Sequence, residues 1–113
     1  MGSRIAERAK AHFIGIGMRS VEVPEWGADG KPLVVWFKPI SLAEREKAHV
    51  GAADFAEIVV RTIVMKAMDE NGERLFSAED KMILRTEAAG DVVQRIFQAI
   101  DAAPPKPSDL SGN

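Results

Sequence analysis

The 113-residue sequence predicts a small, single α+β domain: an N-terminal helix, one β-hairpin, then three to four helices. Three observations carry this reading. Residues 4–14 gather Ile5, Ala6, Ala9 and Phe13 on one side at the helical period of about 100° per residue. Residues 19–38 switch to a period of two around an Asp-Gly pair, the pattern of a hairpin. From Ser41 onward apolar residues return at helical spacing, with Ser, Asp and Gly at the starts and stops.

In the first helix Arg4, Glu7, Arg8 and Lys10 fall mostly opposite the apolar stripe. Gly15-Ile16-Gly17 ends it, because glycine tolerates the left-handed backbone just past a helix. His12 lies beside the stripe, where capping or packing is a plainer role than chemistry. In the hairpin, Val21 and Val23 alternate with Glu22 and Pro24, and residues 33–37 form a β-rich run. Residues 26–32 hold Trp26, two glycines, Asp29 and Pro32, which predicts a loop of four to six residues. Pro24 lacks an N–H and belongs at the sheet edge or a strand end. Leu33, Val35 and Phe37 share one face of the second strand, and Val34, Trp36 and Lys38 the other. Both faces are largely apolar, which predicts helices on one side and a partner on the other.

Ser41 followed by Glu44 has capping-box spacing, so a helix is expected over 42–50, polar over most of its circumference and broken by Gly51. Residues 54–68 predict the most informative helix. Phe55, Ile58, Val59, Val60, Ile63, Val64, Met65, Ala67 and Met68 spread almost around it, interrupted by Glu57, Arg61, Thr62 and Lys66. Such a helix is either central or covered by another chain, and a domain this small has few elements with which to envelop it. Asp69-Glu70-Asn71-Gly72 then turns the chain, and Leu75-Phe76 supply two apolar anchors. Ser77 is expected to cap a short helix, and Asp91 a final one over 92–103 with Val92, Val93, Ile96, Phe97 and Ile100 as its stripe. The domain is therefore drawn over residues 1–103, with 104–113 as a disordered Pro-rich tail and Gly2-Ser3 resembling a cloning scar.

Charge and composition narrow the function. Fifteen Lys and Arg against seventeen Asp and Glu leave no basic excess for phosphates, which argues against nucleic acid. The absence of cysteine removes disulfides, thiolate zinc sites and a cysteine nucleophile. The longest apolar stretch, 58–68, contains Arg61 and Lys66 and is too short to span a bilayer, so no membrane partner is expected. No signal-type apolar region follows the N-terminus, which places the chain in the cytoplasm by expectation.

Signs of chemistry are weak. Gly15, Gly17 and Ser20 lack the third glycine and the strand–helix context of a dinucleotide site, and no cofactor is expected. A calcium loop centred on Gly72 would place Ala67 and Ala78 where carboxylates are required. His12 and His49 belong to different helices without a ligand at i+3 or i+4, so no metal is expected; a surface ion-pair role suits His49. No serine sits in a nucleophile elbow, and the chain is read as no enzyme, with no catalytic residues. Trp26, Trp36 and Phe37 lack the flanking cations of a single-strand binder.

The order of elements resembles the tail assembly chaperones of long-tailed bacteriophages and prophages. The resemblance rests on Arg4-Ile5-Ala6-Glu7-Arg8 with Phe13, Val21-Glu22-Val23-Pro24-Glu25-Trp26, and the strand 33–38. It continues through Pro39-Ile40-Ser41-Leu42-Ala43-Glu44, Met68-Asp69-Glu70-Asn71-Gly72, Leu75-Phe76 before Asp80-Lys81, and Val92-Val93-Gln94-Arg95-Ile96, covering residues 4–103. It implies a non-catalytic helper in the host cytoplasm, absent from the mature virion. Its implied partner is the long helical tape measure protein, kept soluble while tube subunits polymerise; a frameshifted longer form would recruit tail tube protein. Val34, Trp36, Val60, Val64 and Met68 are the candidate protein-binding residues, for tape measure helices or for a homo-oligomer. The plain alternative is that the same side chains complete the core. A minor tail or connector subunit, or a regulatory DNA-binding module, are the other classes left open.

Overall fold

The computed structural model describes residues 4–104. Helix α1 (Arg4–Ile16) leads into strands β1 (Arg19–Ala28) and β2 (Lys31–Phe37), then α2 (Leu42–His49) and α3 (Phe55–Lys66). A 3-10 turn at Ala78–Asp80 precedes α4 (Lys81–Thr86) and α5 (Gly90–Asp101). This is the expected α+β class: a helix, an antiparallel two-stranded hairpin and four more helices. No helix among the described residues is long and apolar enough to cross a membrane. Of the tail expected over 104–113 only Pro104 lies within the described residues, and Gly2-Ser3 lie outside them.

The hairpin closes more tightly than its composition suggested. Asp29 and Gly30 alone form the turn, with φ of 55° and 74°, the left-handed pair that matches strand twist. The strands extend inward to Ala28 and Lys31, and the surplus residues are absorbed by a register irregularity between Val23 and Ala28. Pro24 lies inside that irregularity on an edge strand, the first of the two places expected for it, so its missing N–H breaks no regular ladder. Gly27 is obligatory there: a Cβ would lie 2.1 Å from the Lys31 carbonyl oxygen.

The core is the inner face of the hairpin against α3 and α5. Val23, Val35, Phe37, Ile63, Ile96 and Ile100 are essentially inaccessible, and each such side chain contributes about 1.5–3 kcal/mol on burial. Leu75 and Phe76 pack on this cluster as anchors. Helix α3 is enveloped by its own chain to a degree its length did not suggest: α2, α4 and α5 all pack on it, and Val59, Val60, Thr62, Ile63 and Lys66 are buried. It stops at Lys66, two residues early, because Ala67 turns extended and Met68 joins the sheet.

Lys66 is the largest departure from expectation. It is 8% exposed, and its Nζ donates to both Glu44 carboxylate oxygens (2.9 and 3.1 Å) and to the Pro39 carbonyl (3.2 Å). Glu44 also accepts from the Ser41 N–H, while the Ser41 hydroxyl accepts from the Glu44 N–H, completing the expected capping box. One carboxylate therefore caps α2 and anchors α2 on α3. Partial burial works to raise the Glu44 pKa, but the Ser41 N–H and Lys66 outweigh it and hold it below the ordinary value.

One cap differs from the pattern, and Ser77 holds its N-cap position on a 3-10 turn. Helix α5 starts at Gly90 with Ala89 at its N-cap, so Asp91 lies inside the first turn and serves the helix dipole instead. Ser77 precedes a 3-10 turn, where its N–H donates to Asp80. Among the described residues His49 makes no ion pair; its Nδ1 lies 2.7 Å from the Arg45 carbonyl. Helix α1 runs to Ile16, is stopped by Gly17 at φ 70°, and buries none of its residues.

Candidate protein-binding surface

The β-sheet has two unlike faces. Val23, Val35 and Phe37 point into the core, while register places Ser20 opposite Trp36 and Glu22 opposite Val34 on the other side. Ser20 and Glu22 are exposed, and Val34 and Trp36 are half-buried. This outer face is widened by a segment that the sequence pattern had assigned to a helix end. The Trp36 N–H donates to the Met68 carbonyl and the Met68 N–H to the Trp36 carbonyl, both at 2.8 Å. Met68 pairs in turn with Arg74, and Leu75 donates to Ala67, so residues 67–75 form a short hairpin along the free edge of β2. Directly opposed residues project to the same side of a sheet, so Ser20, Trp36, Met68 and Arg74 form one row across it.

The turn of this small hairpin is held by Asp69, whose Oδ1 accepts from the Asn71 and Glu73 N–H groups at 2.8 and 3.0 Å. That is the usual work of an Asp in a tight turn. Covering the β2 edge also removes a template for uncontrolled strand pairing.

Of the five candidate residues, Trp36 and Met68 are brought together directly and Val34 lies on the same face. Val64 is half-buried and packs against the core. Val60, at 3% exposure, belongs to the core, so the plain alternative holds for that residue.

Two further apolar features lie outside the Val34–Trp36–Met68 face. Adjoining hollows of about 140 and 190 Å³ share Val60 and Arg85 and form a groove between α3, α4 and α5. Phe55 and Met82, 56% and 63% exposed, stand at this groove, with Ala56, Leu84, Gly90 and Val93 in its lining. Phe55 is steadied by an edge-to-face contact with Phe97 at 5.6 Å. The other feature is α1, where Ile5, Phe13 and Ile14 are 65%, 41% and 67% exposed. The signal for the groove was the apolar run Met82-Ile83-Leu84 in a short, otherwise polar segment. Nothing in the α1 stripe distinguishes a docked helix from an open one.

Charges tie the elements together. Arg95 grips Glu25 of β1 in a bidentate pair at 2.8 and 2.6 Å, and Arg85 grips Asp54, the N-cap of α3, at 2.9 and 2.6 Å. These guanidinium bonds, with backbone N–H groups assisting, pull both carboxyl pKa values down to about 2. Arg45 reaches Asp101 at the end of α5. Among the described residues no group of three or more His, Cys, Asp or Glu is placed to hold a metal ion. What the molecule presents is apolar contact surface: the Val34–Trp36–Met68 face, the α3–α4–α5 groove and the α1 stripe. Comparison with protein-family models, with curated proteins and with solved structures gives no significant match.

Proposed function

We propose that the chain is a non-catalytic tail assembly chaperone of a bacteriophage or prophage, which binds the tape measure protein and keeps it soluble during tail tube assembly. The observation that carries the reading is the half-open Val34–Trp36–Met68 face, on the side of the sheet away from the core. An indole beside a methionine makes a flat, adaptable apolar platform for one stripe of an amphipathic helix. A chaperone that coats a long helical protein needs such tolerance, because successive turns present different side chains. Exposed Ser20, Glu22 and Arg74 supply a polar rim. Many weak contacts along one partner then sum to firm coating without any single tight site. In this reading the chain acts in the host cytoplasm, is left out of the mature virion, and meets tail tube protein only through the complex it coats.

The test is Trp36→Glu with Met68→Glu, introduced in co-expression with a tape measure protein. Both side chains are half-buried, so circular dichroism must first show the fold retained. Loss of capture and return of the partner to the insoluble fraction is expected. Undiminished capture by the folded double variant rejects this face as the binding surface.

A further inference from the structure

We propose that α1 is a docking helix for another protein, and that it takes an amphipathic helix whose apolar stripe is flanked on both sides by carboxylates. This is a second surface, on a different element from Trp36 and Met68. It stands whether or not that face binds a tape measure protein.

Helix α1 is formed but not covered. None of its thirteen residues is buried, and a helix of that length without tertiary packing is marginal in water. Ile5, Ala9 and Phe13 nevertheless recur at i, i+4 and i+8 along one face. The stripe is one side chain wide, with the small Ala9 between two large residues. That is a seam against which another helix packs at close range. Past Phe13 it opens into a hollow of about 310 Å³, lined by Phe13, Ile14, Gly17, Met18, Lys38 and Pro39. The hollow offers a seat for one large apolar side chain of the partner.

Charge selects the occupant. Successive helical residues stand about 100° apart. Arg4, Arg8 and His12 each precede a stripe residue and so form a row along one flank, while Lys10 follows Ala9 on the other flank. Glu7, the one acid of the helix, lies on the back, about 160° from Ala9. At the hollow, Lys38 is the one charged lining residue among the described residues. Arg4, Arg8, Lys10 and Lys38 form no ion pair among the described residues. A chain of formal net charge −2 thus gathers unpaired cations on both sides of one apolar seam.

Two other occupants fit less well. A second copy's α1 would set Arg8 against Arg8 when antiparallel and against Lys10 when parallel, so like charges oppose that pairing. A bilayer surface is met by a broad apolar face carrying several large side chains, whereas this seam holds Ala9 at its centre. A helix with Asp or Glu on both flanks pairs with both rows of cations while its own stripe covers Ile5, Ala9 and Phe13.

Two synthetic amphipathic peptides test this. They share one leucine stripe and carry either Glu or Lys on both flanks; each is titrated with the full chain and followed by fluorescence anisotropy. The Glu peptide is expected to bind about tenfold more tightly or better, since several exposed charge contacts reverse sign in the Lys peptide. Its binding is expected to weaken as salt rises. Arg8→Glu with Lys10→Glu is expected to erase the preference, and Phe13→Asp to weaken the Glu peptide by about tenfold. All three positions are exposed, so the fold is expected to survive, and circular dichroism checks it. Equal binding of the two peptides overturns the proposal, as does a preference that survives the charge reversal, or no binding of either. Capture of phosphatidylglycerol vesicles in place of the peptides, lost in Phe13→Asp, overturns it in favour of a membrane surface. Mass that grows with concentration and is lost in Phe13→Asp overturns it in favour of a second copy.

Discussion

Replacing Lys66 by Met tests the packing logic most sharply, because Met keeps the length and apolar stem and removes only the ammonium. The change takes two charge-assisted bonds from Glu44 and the donor from the buried Pro39 carbonyl. Removing one partner of a fully buried pair costs about 3–5 kcal/mol. Glu44 keeps 33% of its side-chain exposure and its bond from the Ser41 N–H, so water compensates in part. The expected loss is about 2–3 kcal/mol, or a fall of about 10–20 °C in Tm for a domain of this size. Urea unfolding at neutral pH reads it directly, as a lower midpoint at unchanged slope. Glu44→Gln should also destabilise, because it leaves the buried Lys66 ammonium without its counter-charge even though the amide oxygen still accepts from Ser41. A loss below about 1 kcal/mol for Lys66→Met, the range of exposed pairs, would refute the assignment of Lys66 as a buried anchor.

Gly27→Ala should lower stability by about 1–3 kcal/mol in thermal melts, because the new Cβ meets Lys31 backbone at 2.1 Å and the turn must shift; an unchanged Tm would mean the irregularity is elastic. Val64→Asp places a carboxylate against the core cluster and should cost about 2–4 kcal/mol by urea titration; wild-type stability there would return Val64 to the binding surface. Acid should destabilise the fold through its clamped carboxyls. Glu25 and Asp54 sit at about 2, against ordinary values of 4.5 and 3.8, and Glu44 is also lowered. The folded state therefore binds these protons less readily than the unfolded chain. Their stabilisation is complete above pH about 4.5 and is lost as pH falls toward 2. Arg85→Gln should flatten part of that acid limb, and an unchanged profile would count against the clamp.

The periodicities were sufficient for the class and the order of elements, since each stripe and cap acts within a few residues. Ser41 and Glu44 meet as their spacing requires. What failed to show was non-local. Lys66 reads as a solvated interruption on a helical wheel, yet becomes an anchor because Glu44 and Pro39, 22 and 27 positions away, converge on it. Met68 continues an apolar helical pattern, but pairing with Trp36 outweighs its propensity and converts it to strand. The near-circumferential apolar surface of α3 suggested a second chain; α2, α4 and α5 supply most of that cover. The candidate site was half legible for the same reason. Alternation along β2 placed Val34 and Trp36 on one face, whereas Val60 could be sorted into the core only once its neighbours were known. In α1 the stripe was plain, and its lack of cover depends on where the remainder of the chain packs.

The central claim is that this chain coats a tape measure protein. Co-expression of the two, followed by affinity capture and light-scattering mass of the eluted complex, addresses it directly. The account predicts a soluble complex carrying many copies of the chain on one partner, and an insoluble partner when the chain is left out. A partner that remains insoluble beside well-folded chain, with nothing captured, would contradict it.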